Sequence, residues 1–173
     1  MKTTKAFILI FAVLLSLTGC KRKEAIDETI EWKEIEIISD YENLDAKYYE
    51  IFRGISLESF KDILQNKKNA TVFISFPGCH NCQKVIETVA ETANKEGKII
   101  YYLDAVEMVA TQESNNEILS LLGEAVRKDD SGEAKLYTPE ILSIQNGVIK
   151  SYYIGSGLEK IAAVIEGKNV QEQ

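Results

Sequence analysis

Cys79 and Cys82 stand three positions apart, with His80 and Asn81 between them, in a chain of 173 residues that holds only three cysteines. A disulfide stabilises a fold chiefly by removing entropy from the unfolded chain, and the effect grows with the loop it closes. A bridge across two intervening residues restrains almost nothing, so this pair is placed for chemistry or for a metal. Two sulfurs at this spacing can meet without backbone movement. That suits thiol–disulfide exchange, in which one thiolate attacks a partner disulfide and a second thiol resolves the mixed disulfide. The same residues offer two thiolates and an imidazole to copper. A closed zinc site needs four ligands, and the sequence contains no histidine besides His80.

The elements that must hold the pair are legible on either side of it. Residues 70–76, ATVFISF, form an unbroken apolar and β-branched run, the pattern of a strand buried on both faces. Pro77-Gly78 ends it. After the cysteines, Val85, Ile86, Val89, Ala90 and Ala93 make a helical stripe that stops at Gly97. Cys79 therefore sits at the strand-to-helix turn, with Cys82 in the helix's first turn. Backbone N–H groups and the helix dipole favour negative charge there. The Cys79 thiol is expected to ionise below the roughly 8.5 of a free cysteine.

Further out, the pattern alternates. Residues 47–52 read as a first strand, and Ser56 can cap a helix with Leu57, Phe60 and Leu64 on one face. Residues 98–104 read as a strand and 113–126 as a helix with Ile118, Leu119, Leu122, Ala125 and Val126 inward. The stretch RKDDSGEAKLY reads as a polar loop, with Asp129, Asp130 and Glu133 as solvated charges. Then 139–145 and 148–155 form a hairpin about Asn146-Gly147. Ser156 and Glu159 have capping-box spacing for a last helix. The order β-α-β-α-β-α-β-β-α implies an α/β fold with a mixed sheet covered on both faces. Of the tyrosine pairs 48–49, 101–102 and 152–153, one member each is expected to pack inward and the other to face water or a helix.

The chain opens with Lys2 and Lys5 before an apolar run of twelve residues, Ala6 to Leu17, broken only by Ser16. A membrane-spanning helix needs roughly 20, whereas a basic start and a short apolar core are parts of a secretory signal peptide. Leu17-Thr18-Gly19-Cys20 resembles the lipobox of bacterial lipoproteins. That resemblance implies cleavage after residue 19 and a diacylglycerol on Cys20, whose two chains suffice for stable anchoring. Ordinary secretion, with a chance cysteine at the boundary, is the alternative. The domains so read are a signal peptide at 1–19, a charged tether at 20–40 and a folded domain at 41–173, with Trp32 expected to dock on that domain. Loss of Lys2 and Lys5 leaves 18 basic and 27 acidic side chains, a balance of −9. That argues against nucleic acid, which rewards basic patches. With Cys20 carrying lipid, Cys79 and Cys82 are the only thiols facing an extracytoplasmic space, where disulfides persist.

C-H-N-C at a strand-to-helix junction, the strand KIIYYLD, and TPEILSIQNGVI followed by a glycine and a final helix resemble the thioredoxin superfamily, over roughly residues 47 to 167. The lipobox and the TPEIL…NG hairpin look closest to its extracytoplasmic lipoproteins, a group that includes the bacteriocin transport accessory proteins. The resemblance implies a thioredoxin-like mixed sheet flanked by helices on both faces. It also implies a cis-proline at Pro139, beside the sulfurs, and a Thr138 whose backbone pairs with a bound peptide. The function so implied is a membrane-anchored thiol–disulfide oxidoreductase with Cys79 and Cys82 as catalytic residues. It uses no cofactor beyond its own redox-active disulfide, and its partners are protein or peptide thiols and disulfides, a membrane redox partner and the bilayer.

Two departures from the family bear on tuning. The buried acid that thioredoxin carries six residues before the first cysteine falls on Phe73, and the nearest polar residue, Ser75, is no carboxylate base. His80-Asn81 replaces Gly-Pro. An imidazole that can become cationic favours the Cys79 thiolate and so a more oxidising couple; as a mere spacer it tunes nothing. Two other readings stay open: a binding or assembly module that keeps the fold without redox turnover, and a copper-handling thiol protein.

Overall fold

The computed structural model describes residues 28–172. Cys20, the lipobox and the apolar run before it lie outside the described residues. The first strand, β1 (Phe52–Gly54), is followed by α1 (Leu57–Gln65), β2 (Ala70–Ser75), α2 (His80–Glu96) and β3 (Ile100–Asp104). Then come α3 (Ala105–Val109), α4 (Gln112–Leu122) and a small hairpin of β4 (Arg127–Lys128) and β5 (Ala134–Lys135). The chain closes with β6 (Glu140–Gln145), β7 (Val148–Ile154), α5 (Leu158–Ile165) and the short β8 (Gln171–Glu172). The main sheet runs β1-β3-β2-β6-β7-β8. β1, β3 and β2 are mutually parallel, β6 runs antiparallel to both β2 and β7, and β8 is parallel to β7. This is a mixed α/β sheet, consistent with a thioredoxin-like fold.

Helices cover both faces because the central strands present apolar side chains to both. On β2, Val72 and Ile74 join one core with Phe60 and Ile63 of α1, Met108 of α3, and Ile118 and Leu122 of α4. Phe73 points the other way, into a core with Val85, Ile86, Val89, Ala90 and Ala93 of α2 and Ile161, Val164 and Ile165 of α5. The period of two along a strand makes this division. It also settles which alternative holds for the tyrosines of β3, where the second member of the pair faces helices and not water. Tyr101 and Tyr102 point to opposite faces yet are both buried, because neither face of β3 meets water.

Local chemistry sets the boundaries. The Ser56 hydroxyl accepts from Ser59 N at 3.1 Å and starts α1, but Ile63 rather than Leu57 or Leu64 is its fully buried anchor beside Phe60. Residues 46–51 form a 3-10 helix, so the first strand begins only at Phe52. The Asp45 carboxylate accepts from Lys47 N and caps that turn instead. α4 stops at Leu122, before Ala125 and Val126. α5 is capped at Gly157 without a side-chain bond, so the capping box expected of Ser156 does not form. In the polar loop Asp129 organises the β4–β5 hairpin, accepting from Ser131 N and Glu133 N and pairing with Lys135. Asn146 and Gly147 both take positive φ, 51° and 73°, as the β6–β7 turn requires. A Cβ on Gly147 would lie 2.2 Å from the Leu64 carbonyl oxygen.

The span read as a charged tether behaves differently where it is described. Ile30 and Ile38 are buried, and Lys33 exchanges both backbone hydrogen bonds with Gly54 on the edge strand β1. A Cβ at Gly54 would meet Lys33 O at 3.1 Å, so the glycine lets the segment lie flat against the strand. The isoleucines at 30, 35, 37 and 38 supply the apolar surface that a solvated spacer would lack. Trp32 remains 41% exposed, with the Arg53 guanidinium stacked 4.4 Å from its ring centroid.

Candidate active site

β2 delivers the chain to the C-terminal edge of the sheet, where Phe76, Pro77 and Gly78 turn it back. Cys79 N donates to Phe76 O at 3.1 Å and closes the turn. Cys79 then serves as the N-cap of α2: its sulfur accepts from Cys82 N at 3.2 Å, and its carbonyl accepts from Gln83 N at 3.0 Å. The two sulfurs are joined in a disulfide, with Cα atoms 5.1 Å apart. Cys79 is partly exposed and Cys82 fully buried. Only Cys79 can be reached from solvent by another thiol or disulfide.

The cysteine pair meets a second element from 59 residues away. The Thr138–Pro139 peptide bond is cis, and the Thr138 hydroxyl donates to Cys79 Sγ at 3.4 Å. Thr138 O lies 3.8 Å from the same sulfur. Pro139 is buried, and its carbonyl accepts from Gly155 N at 2.9 Å, which fixes the approach of this loop to the β7–α5 junction. The sequence-expected residues Cys79, Cys82, Thr138 and Pro139 thus converge. His80 and Asn81 are exposed in the first turn of α2.

A Cys79 thiolate formed on reduction would hold a backbone N–H donor, a hydroxyl donor and the positive end of a 17-residue helix. Each favours the charged form.

Behind the sulfurs, Phe73 occupies the position without an acid and packs edge-on against Tyr102. Ser75 belongs to a buried hydroxyl cluster. Its Oγ lies 2.6 Å from Tyr41 Oη, Tyr41 and Tyr102 hydroxyls are 3.1 Å apart, and Tyr102 donates to Ser75 O at 3.0 Å. Burial pushes the Tyr41 phenol up to about 12 and raises that of Tyr102 further. These hydroxyls remain neutral and act as structure, not as bases.

Three residues of this region are not singled out by sequence reasoning. Tyr41 lies in a polar stretch yet is 1% exposed. Gln83 reads as an ordinary helix-surface residue. Glu140 follows the cis-proline at the start of β6, paired in register with Ile74 and Ile154. Its carboxyl is 1% exposed, and Oε1 has no hydrogen-bond partner. Burial raises its pKa well above the ordinary carboxylate range. An acid within an apolar run was the available clue.

Among the described residues, no three His, Cys, Asp or Glu side chains gather as metal ligands, and no helix is long and apolar enough to cross a membrane. No family model matches the chain, and no curated protein matches it.

Proposed function

We propose that the protein is a thiol–disulfide oxidoreductase of the thioredoxin superfamily, anchored by lipid on Cys20 outside the cytoplasm and acting on protein or peptide thiols and disulfides. The observation that carries this reading is the position of Cys79 Sγ. It is partly exposed, joined to buried Cys82, capping a helix N-terminus and accepting from Thr138.

The chemistry balances without a cofactor. A substrate thiolate attacks Cys79 Sγ, forming a substrate–Cys79 bond and breaking the bond to Cys82, which leaves as a thiolate and takes up a proton. A second substrate thiolate attacks the substrate sulfur of the mixed disulfide and releases Cys79 as a thiolate. The substrate loses two electrons and the cysteine pair gains them. In reverse, the Cys79 thiolate attacks a substrate disulfide and Cys82 resolves the intermediate. Thr138, beside the sulfur, offers its backbone to the bound peptide.

Equilibration of the purified protein against glutathione redox buffers tests the reading. A reversible two-electron couple requiring both cysteines is expected. A disulfide that stays oxidised across the whole range, or a couple that persists in Cys82→Ala, would overturn it.

A further inference from the structure

The geometry points to Gln83 as a positioning residue for Cys79, acting as a clamp between the active-site turn, the first turn of α2 and the docked N-terminal segment. Gln83 follows Cys82, and its side chain is partly buried. Its amide makes three hydrogen bonds. Nε2 donates to Pro77 O at 2.8 Å and to Asp40 O at 3.2 Å, while Oε1 accepts from Glu42 N at 3.0 Å. Both donors go to carbonyls and the acceptor takes an N–H, so the amide orientation is determined by its partners. The Gln83 carbonyl in turn accepts from Asn43 Nδ2 at 3.1 Å.

The consequence for Cys79 follows from where these bonds fall. Pro77 is two residues before Cys79, and Gln83 N is bonded to Cys79 O. The side chain therefore closes a bracket around the segment 77–83, from the carbonyl before the turn to the helix after it. Inside that bracket Cys79 Sγ is held at the N-cap, where Cys82 N reaches it at 3.2 Å. In the oxidised protein the disulfide itself holds the sulfur there. On reduction that restraint is gone, and the amide clamp joins the backbone bonds of Cys79 to Phe76 and Gln83 in keeping the turn against the helix. A side chain without donors leaves Pro77 O and Asp40 O to water. The turn can then move away, and the thiolate loses alignment with the N–H and the helix dipole, the interactions that favour its charge.

This inference rests on Cys79 working as a stabilised thiolate. Its test is the pH profile of iodoacetamide alkylation in the reduced full chain, with the two cysteines resolved by peptide mass spectrometry. Gln83→Met keeps length and helix propensity and removes all three side-chain hydrogen bonds. The titratable side chains around the bracket are His80, Cys82, Lys84 and Glu87 on α2, Asp40, Tyr41, Glu42 and Asp45 on the docked segment, and Tyr137 and Glu140 flanking Thr138 and Pro139; the substitution alters none of them. The expected result is a Cys79 midpoint about one pH unit higher, with about tenfold slower alkylation on the acid side. At alkaline pH, where the thiolate is complete in both proteins, the rates should converge. A change in accessibility alone would shift the rate at every pH and leave the midpoint in place. Gln83→Asn, whose amide is too short to span both carbonyls, should move the midpoint the same way and serves if the first variant folds poorly. An unmoved midpoint in the folded variants, with a low midpoint in the native protein, overturns the role of Gln83 alone. A native midpoint at the ordinary cysteine value overturns both that role and the thiolate reading beneath it.

Discussion

The hydroxyl of Thr138 donates to Cys79 Sγ at 3.4 Å, joining the residue before the cis-proline to the exposed sulfur of the disulfide. The contact spans the sheet's centre, because β6, which follows Thr138, is hydrogen-bonded to β2, which precedes Cys79. Thr138→Val keeps the shape and removes the donor. The reduced variant should show a higher Cys79 alkylation midpoint and a rate near pH 6 lower by roughly three- to tenfold, since a hydrogen bond to a charged group contributes on the order of 1 kcal/mol or more. An identical profile would remove Thr138 from the stabilisation of the thiolate.

His80 lies exposed one residue beyond Cys79. A cationic neighbour stabilises the thiolate, hence the reduced form, and raises the reduction potential. Two charges about 6 Å apart in water interact by roughly 0.7 kcal/mol, which corresponds to about 15 mV for this couple. His80→Ala should therefore lower the potential by on the order of 10 mV, from a native value above the roughly −270 mV of thioredoxin. Equilibration with glutathione measures both. A potential unmoved by the substitution would make the imidazole a spacer.

The buried carboxyl of Glu140 makes stability depend on pH in a defined direction. Burial raises its pKa in the fold above the roughly 4.3 of an unfolded glutamate. Between those values the native state holds a proton that the unfolded state has released, so stability falls as pH rises through the window. Glu140→Gln removes the titration. In urea unfolding, the variant's stability relative to the native chain should increase between pH 4.5 and pH 8. A constant difference across that range would contradict a raised pKa.

Tyr41 ties the N-terminal segment to the domain through Ser75 and Tyr102. Tyr41→Phe leaves the buried Ser75 hydroxyl without that partner and should destabilise the fold by about 1–3 kcal/mol. Removal of residues up to Asp45 should go further, because it strips Ile38, Tyr41 and Leu44 from the α2-side core. A truncated chain that unfolds at the native denaturant midpoint would show the segment to be an appendage.

The path of the central chain was legible because its signals are local. The apolar run at 70–76, the Pro-Gly turn, the stripe from Val85 to Ala93 and Asn146-Gly147 each name an element without reference to distant residues. Those elements put Cys79 at the end of a strand and the start of a helix. The proximity of Thr138 to Cys79 was reached only through family resemblance, since no local pattern links residues 59 positions apart. The bracket made by Gln83, the burial of Tyr41 and the unpartnered Oε1 of Glu140 depend on tertiary neighbours. So does the docking of residues 30–44, whose isoleucines alternate with charges in a way that composition reads as a solvated spacer. Residues 47–52 have strand-like composition, yet the Asp45 cap and packing on α2 turn residues 46–51 into a 3-10 helix and leave only Phe52 to the strand.

Trapping of the exchange intermediate tests the central claim most directly. In cells expressing the full chain with Cys82→Ala, Cys79 should accumulate in mixed disulfides with other proteins, visible as high-mass species that collapse on reduction. The Cys79→Ala chain should form none, because Cys82 is buried and Cys20 carries the proposed lipid. Absence of such species from the Cys82→Ala chain, or equal amounts from both variants, would contradict an exchange site with Cys79 as its nucleophile.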